Sequence, residues 1–222
     1  FSTLFFKLWG LNNWRILSCL WAFIPILNGI AFCIIPINNI IPEDKNSLSI
    51  KQLVTNRTFL IFVVIMLCSG ASEMSVSQWS SMFAERGLGT SKAAGDLAGP
   101  MAFAALMGVS RAFYGKWGER LNLDKFMLIS GVLCVISYIV ISIAPYPVIS
   151  LVFCAICGLS VGIMWPGTFS KASYSIRYGG TAMFALLALA GDIGCSIGPT
   201  VSGFVSSCFE NNIAFGILAS TI

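Results

Sequence analysis

The chain has 222 residues, 57% of them hydrophobic and only 10% charged, with a mean hydropathy of +0.86 and a formal net charge of +4. Soluble domains average about 25% charged residues, so the composition excludes an ordinary soluble domain and points to an integral membrane protein. His is absent, which removes His metal ligands, His proton relays and any Ser-His or Cys-His pair.

A membrane-crossing helix needs about 20 apolar residues, and the sequence offers several such runs. The first covers 16–41 and contains Pro25, which predicts a kink. A polar linker follows at 42–57, with a short amphipathic helix expected over 49–55. Further runs cover 58–83, 91–114, 126–144, 148–170 and 181–207, with a tight Pro-Tyr-Pro turn at 145–147. A seventh begins near Asn212 and reaches only Ile222, too short to span. The expected fold is therefore an all-α polytopic membrane helix bundle of six complete transmembrane helices plus a truncated seventh. The abrupt start at Phe1 reads as a piece of a longer membrane protein.

Of the eight Cys, seven lie inside apolar runs, where a free thiol behaves as a small hydrophobe. Cys154 and Cys157 form a C-x-x-C, but no second Cys pair and no His is available to complete a metal site. No metal and no cofactor is expected. Basic patches interleaved with aromatics are absent, so nucleic acid is not an expected partner.

Basic residues report topology in a membrane protein. If the runs alternate across the bilayer, nine Lys and Arg fall on one side and four on the other. The nine-residue side is cytoplasmic by the positive-inside rule, and it holds the 42–57 linker. On that assignment the Asn56-Arg57-Thr58 sequon is cytoplasmic and unglycosylated.

The stretch 111–125 reads RAFYGKWGERLNLDK. It resembles the cytoplasmic signature of the major facilitator superfamily, G-x-x-x-D-R-x-G-R-K, with Gly115, Glu119 and Arg120 in the places of its Gly, acid and Arg. Glu replaces Asp, Asn122 replaces the second Gly, and the trailing basic pair is reduced to Lys125. Asn tolerates the left-handed conformation that Gly would supply, so Asn122 is expected to keep the turn. Gly191, Gly194, Gly198, Pro199 and Gly203 in GDIGCSIGPTVSG resemble the superfamily's Gly-Pro-rich helix, where small residues let helices approach closely. NNWR at 12–15 is similar to the entry of its sixth helix.

This resemblance implies that 1–41 is the sixth-helix segment of an N-terminal half, 42–57 a cytoplasmic linker, and 58–222 a C-terminal six-helix half truncated in its last helix. It implies a missing N-terminal half of the same chain as partner, alongside the lipid bilayer. It also implies a cytoplasmic gating cluster of Arg111, Gly115, Glu119 and Arg120. Within the superfamily, SGASEMSVSQW (69–79) and GLSVGIMWPGTFS (158–170) resemble the fucose-permease-like sugar:proton symporters.

Three acids lie inside apolar runs, where an ionisable group is a functional candidate by default. Asp96 reads as structural, near a helix N-terminus and four residues after Lys92. Asp192 reads equally as structural or functional. Glu73 is the sixteenth residue of a run of 26, which places it in the outer half of the span, and no Lys or Arg lies within a helical turn of it. Ser69, Ser77 and Ser80 share its face at helical spacing, a hydroxyl-rich stripe that reads as a wet cavity wall. Trp79 and Trp165 read either as sugar-stacking platforms or as interfacial anchors. Gln78 and Asn28 read either as hydroxyl ligands or as helix bridges.

The expected function is secondary active transport, in the plasma membrane or a bacterial inner membrane, of a small polar solute, a sugar, coupled to a proton or another cation. The expected solute and cation residues are Glu73, Ser69, Ser77, Gln78, Trp79, Trp165 and Asp192. The rivals are a drug or peptide transporter of the same superfamily and a non-transporting membrane receptor or scaffold. An integral membrane enzyme would need a nucleophile–base pair or metal cluster of a kind a chain without His supplies poorly.

Overall fold

The structure, a computed structural model, describes residues 2–35, 47–88, 95, 97–209 and 213–220. All regular elements among them are helical. The chain divides into two compact units, 1–46 and 47–222.

The first unit holds α1 (Ser2–Trp9) and α2 (Trp14–Ile34), joined by a 3-10 turn at Leu11–Asn13. The α1 aromatics pack on each other, Phe5 edge-on to Trp9 at 4.7 Å. The helix of the first apolar run starts two residues early and runs through Pro25 to Ile34. Residues 36–41 of that run, and 42–46 of the linker, lie outside the described residues.

The second unit begins with α3 (Ile50–Thr55), set by a capping box in which Ser49 and Gln52 satisfy each other's backbone amides. Its Leu53 is completely buried. Next comes α4 (Arg57–Leu88), the longest helix. A π-helical turn at Leu97–Met101, containing Pro100, leads into α5 (Ala102–Trp117). A 3-10 turn at Gly118–Arg120 leads to α6 (Leu123–Ile143). Then come α7 (Pro147–Val161), α8 (Met164–Ser175), α9 (Gly180–Cys208) and α10 (Ile213–Ala219).

Among the described residues five helical stretches are long and apolar enough to cross a membrane: α2, Arg57–Ser81 of α4, α6, α7 with α8, and α9. The third apolar run contributes a π turn and the 16-residue α5, and its opening residues fall outside those described. The fifth run is one span in two pieces, broken at Gly162–Ile163, four residues ahead of Pro166.

Two turn expectations change. Asn122 is extended (φ −74°, ψ 104°), not left-handed, and its side chain accepts from the Lys125 amide at 3.1 Å. It is the N-cap of α6, a role its short acceptor side chain fills better than Gly would. Pro147, at the end of the Pro-Tyr-Pro turn, opens α7, where its missing N–H costs nothing.

α4 is the spine of the unit. Its first half contributes Phe59, Phe62 and Met66 to a cluster with Leu53, Ile176, Met183 and Leu187. Its second half contributes Val76 to a cluster with Phe103, Tyr138, Cys157 and Ile217. Its longest partner is α9, and the contact is backbone-close. A Cβ at Gly198 would stand 2.6 Å from the Ala71 carbonyl oxygen, and one at Gly194 would stand 3.0 Å from the Ala71 amide nitrogen. α5 and the α7–α8 break meet in the same way: a Cβ at Gly162 would stand 2.7 Å from the Ser110 Cβ.

Lipid supplies no hydrophobic drive between helices, so van der Waals contact at small residues holds such faces together. Gly198→Leu is therefore expected to destabilise the purified protein strongly, as overpacking costs about 1–3 kcal/mol or more. Gly108→Leu, with nothing within 4 Å of its Cβ position, should leave thermal stability in detergent unchanged. Equal melting of the two variants would refute the close-packing account.

Candidate functional site

The site is built around Glu73. It is the seventeenth of the 32 residues of α4 and the seventeenth of the 25 residues of its apolar span Arg57–Ser81, about two-thirds of the way along that span. α4 itself continues to Leu88, past the hydropathic end of the run. Its carboxylate is 18% exposed, and Oε2 lies 3.7 Å from Nη2 of Arg111 on α5.

The resemblance grouped Arg111 with Gly115, Glu119 and Arg120 in a cytoplasmic cluster. Arg111 lies inside α5, six residues before the helix ends at Trp117. Two groups meet it there. Glu73 is its ion-pair partner. The carbonyl of Gly162 accepts from Nε at 3.3 Å. In an unbroken helix that carbonyl would receive the amide of the residue four positions on, which is Pro166 and has no N–H. Arg111 therefore fills a backbone vacancy created by a proline and meets a carboxylate in the same place. Removing Arg111 from the loop count leaves eight basic residues against four, so the topology assignment keeps its sign.

Gly115 ends the same helix region with open space around it, and Arg120 closes the 3-10 turn. The Glu119 side chain, Asp96 and Lys92 lie outside the described residues.

The other expected residues fall into three groups. Ser69 and Ser80 are buried, and their hydroxyls donate back to Ile65 (2.7 Å) and Ser77 (3.0 Å) carbonyls of α4 itself. Ser69 also lines, with Cys68 and Ser72, a cavity of about 510 Å³ walled by α4, α6 and α9. Ser77 is half-buried and Gln78 exposed.

The two Trp residues both pack on α9 glycines. The Trp79 ring lies 3.0 Å from a Cβ position at Gly203, and its Nε1 donates to the Pro199 carbonyl at 3.4 Å. The Trp165 ring abuts Gly191, where a Cβ would stand 2.5 Å away. The Trp165 indole nitrogen is buried and has no hydrogen-bond partner among the described residues.

Asp192 is exposed on α9, and it and Glu73 both lie within Coulombic range of the Cys195 thiol. Thus α4, α5, the α7–α8 break and α9 converge around one ion pair. No group of three or more His, Cys, Asp or Glu able to hold a metal occurs among the described residues.

The Arg111–Glu73 contact and the Gly162 carbonyl were missed at the level of sequence. The one available signal was the G-x-x-x-P spacing of Gly162 and Pro166, which marks an unpaired carbonyl inside an apolar run.

A model of the Major Facilitator Superfamily matches residues 1–199. No curated protein and no solved structure matches the chain. The chain belongs to the Major Facilitator Superfamily, whose members are transporters, and it is a multi-pass membrane protein.

An ion pair of this kind should show itself in a double-mutant cycle. Glu73→Gln or Arg111→Gln alone leaves one charge without its partner, whereas the double variant removes both. Thermal unfolding in detergent is expected to give a coupling energy of about 0.5–3 kcal/mol between the two sites. Additive losses would mean that the pair contributes no stability.

Proposed function

We propose that this superfamily member is the C-terminal half of a secondary active transporter. It moves a small polar solute, a sugar, together with a proton or another cation by alternating access. The observation that carries the reading is Glu73: a titratable carboxylate inside the apolar span of a membrane helix, held by a cation from a different helix. A carboxylate placed there is costly unless it faces protein or water, and such groups mark ion pathways.

Two further features support the reading. Glu73 sits where four helical segments converge, and two of them, α4 and the α7–α8 span, carry the stretches that resemble fucose-permease-like sugar:proton symporters. The α4–α9 and α5–α7 faces are packed through backbone at glycines, which suits rigid-body motion of a tightly held half. In this reading Gly115, Glu119 and Arg120 form the cytoplasmic cluster that holds one state, and Arg111 serves the carboxylate instead.

The test is uptake by the full-length chain in proteoliposomes, against a panel of labelled sugars, neutral and acidic, with and without an inward proton gradient. Glu73→Gln is expected to abolish gradient-driven accumulation and to spare exchange of internal for external solute. Accumulation at the wild-type level in that variant would remove the coupling role from Glu73.

A further inference from the structure

We infer that Arg111 is the anion-binding residue of the solute site and that the transported solute carries a carboxylate: a sugar acid, not a neutral sugar. This inference rests on the transporter reading above and narrows its substrate class.

The argument begins with the donors of the guanidinium. Nε is committed to the Gly162 carbonyl, an acceptor fixed in place by Pro166. That bond orients the plane of the group. Nη2 lies 3.7 Å from Glu73, beyond hydrogen-bonding distance. Among the described residues no acceptor takes the terminal amino groups, and the Arg111 side chain is 44% exposed. What remains is a pair of parallel N–H donors, anchored from behind and open in front. That fork matches the two oxygens of a carboxylate.

Charge balance leads to the same class. The charged and titratable groups around Glu73 are Arg111 of α5 and Asp192 and Cys195 of α9, with Cys134 and Tyr138 of α6 facing the neighbouring Ser72. Lys171 and Asp124 are occupied with each other. With the site empty, ionised Glu73 is the counter-charge of Arg111. A proton arriving on Glu73 removes that counter-charge and leaves the cation inside the membrane without its one ion-pair partner among the described residues, a costly arrangement. A neutral solute does nothing to correct it. A carboxylate on the Arg111 fork restores the balance. One proton and one solute anion then enter together, and the net charge of the site is unchanged. No covalent bond forms or breaks; the proton passes from water to a Glu73 oxygen and back.

The experiment uses the full-length transporter in proteoliposomes with two matched pairs: glucose and gluconate, galactose and galacturonate. The acids are expected to accumulate with an inward proton gradient, and uptake should not respond to an imposed membrane potential. The neutral partners should compete at least about tenfold more weakly, as loss of a charge-assisted pair implies. Arg111→Gln should erase the preference for the acid, and Arg111→Lys should keep part of it.

Glu73→Gln gives an independent readout. It mimics the protonated carboxyl permanently, so it should bind labelled galacturonate at alkaline pH, where the parent needs a proton first. Accumulation of the neutral sugars with the acids excluded would overturn the inference and leave the transporter reading standing. Uptake of neither would overturn both. Acid uptake that follows membrane potential, or an Arg111→Gln variant that still prefers the acid, would also overturn it.

Discussion

A proline inside a membrane helix leaves the carbonyl four residues earlier without its amide, and hydrocarbon offers no water to replace it. Pro166 does this to Gly162, and the helix answers by breaking into α7 and α8. The vacancy must be filled from another element, and it is filled by Arg111. A guanidinium brought to that depth needs a counter-charge in turn, and Glu73 supplies it. The polar centre of the unit thus follows from one missing N–H. The close approach that lets Arg111 reach depends on Gly162 itself, because any side chain there would collide with Ser110 and Met107 of α5.

The rest of the unit keeps this centre in register by having very little that can slide. α4 and α9 meet through Gly191, Gly194 and Gly198 against Ala71 and its neighbours. The hydroxyls of Ser69, Ser72 and Ser80 are bonded to carbonyls of α4 itself, which satisfies them without cross-helix partners, whereas the buried Ser75 hydroxyl has no hydrogen-bond partner among the described residues. Trp79 and Trp165 cover glycines at two levels of α9. In this structure both pack on glycine, and of the two the Trp165 indole nitrogen is buried without a hydrogen-bond partner among the described residues.

How much of this could be read from the chain depends on the range of the interaction. Apolar runs announced the helices within a few residues, because span length and loop polarity are local properties. Ser49–Thr55 was legible for the same reason, its capping box being written in four residues. Glu73 stood out because it is an acid in an apolar run with no Lys or Arg within a helical turn of it. α4 outlasts its hydrophobic stretch, continuing to Leu88 beyond the apolar span Arg57–Ser81. Arg111 was grouped with the cytoplasmic cluster because hydropathy alone cannot distinguish a cation that ends a helix from one that pairs inside it. Only the crossing of α5 over the α7–α8 break decides that, and crossings are tertiary facts. Asn122 shows a smaller version: a left-handed turn was expected, and the side chain instead caps α6 by accepting from the Lys125 amide.

The pairing also constrains how the proposed coupling can work. A carboxylate alone in a cavity could take a proton independently of any solute, and the two gradients would then leak past each other. Here the proton and the solute act on the same guanidinium. Glu73 holds Arg111 only while it is ionised, and a solute anion is welcome only when Glu73 has let go. Each ligand therefore raises the affinity of the site for the other, which is the reciprocal coupling that symport requires. The 3.7 Å separation suits this better than a tight bidentate pair would. A closer bond would be harder to break with one proton, and the Nε anchor on Gly162 keeps Arg111 in place during the exchange.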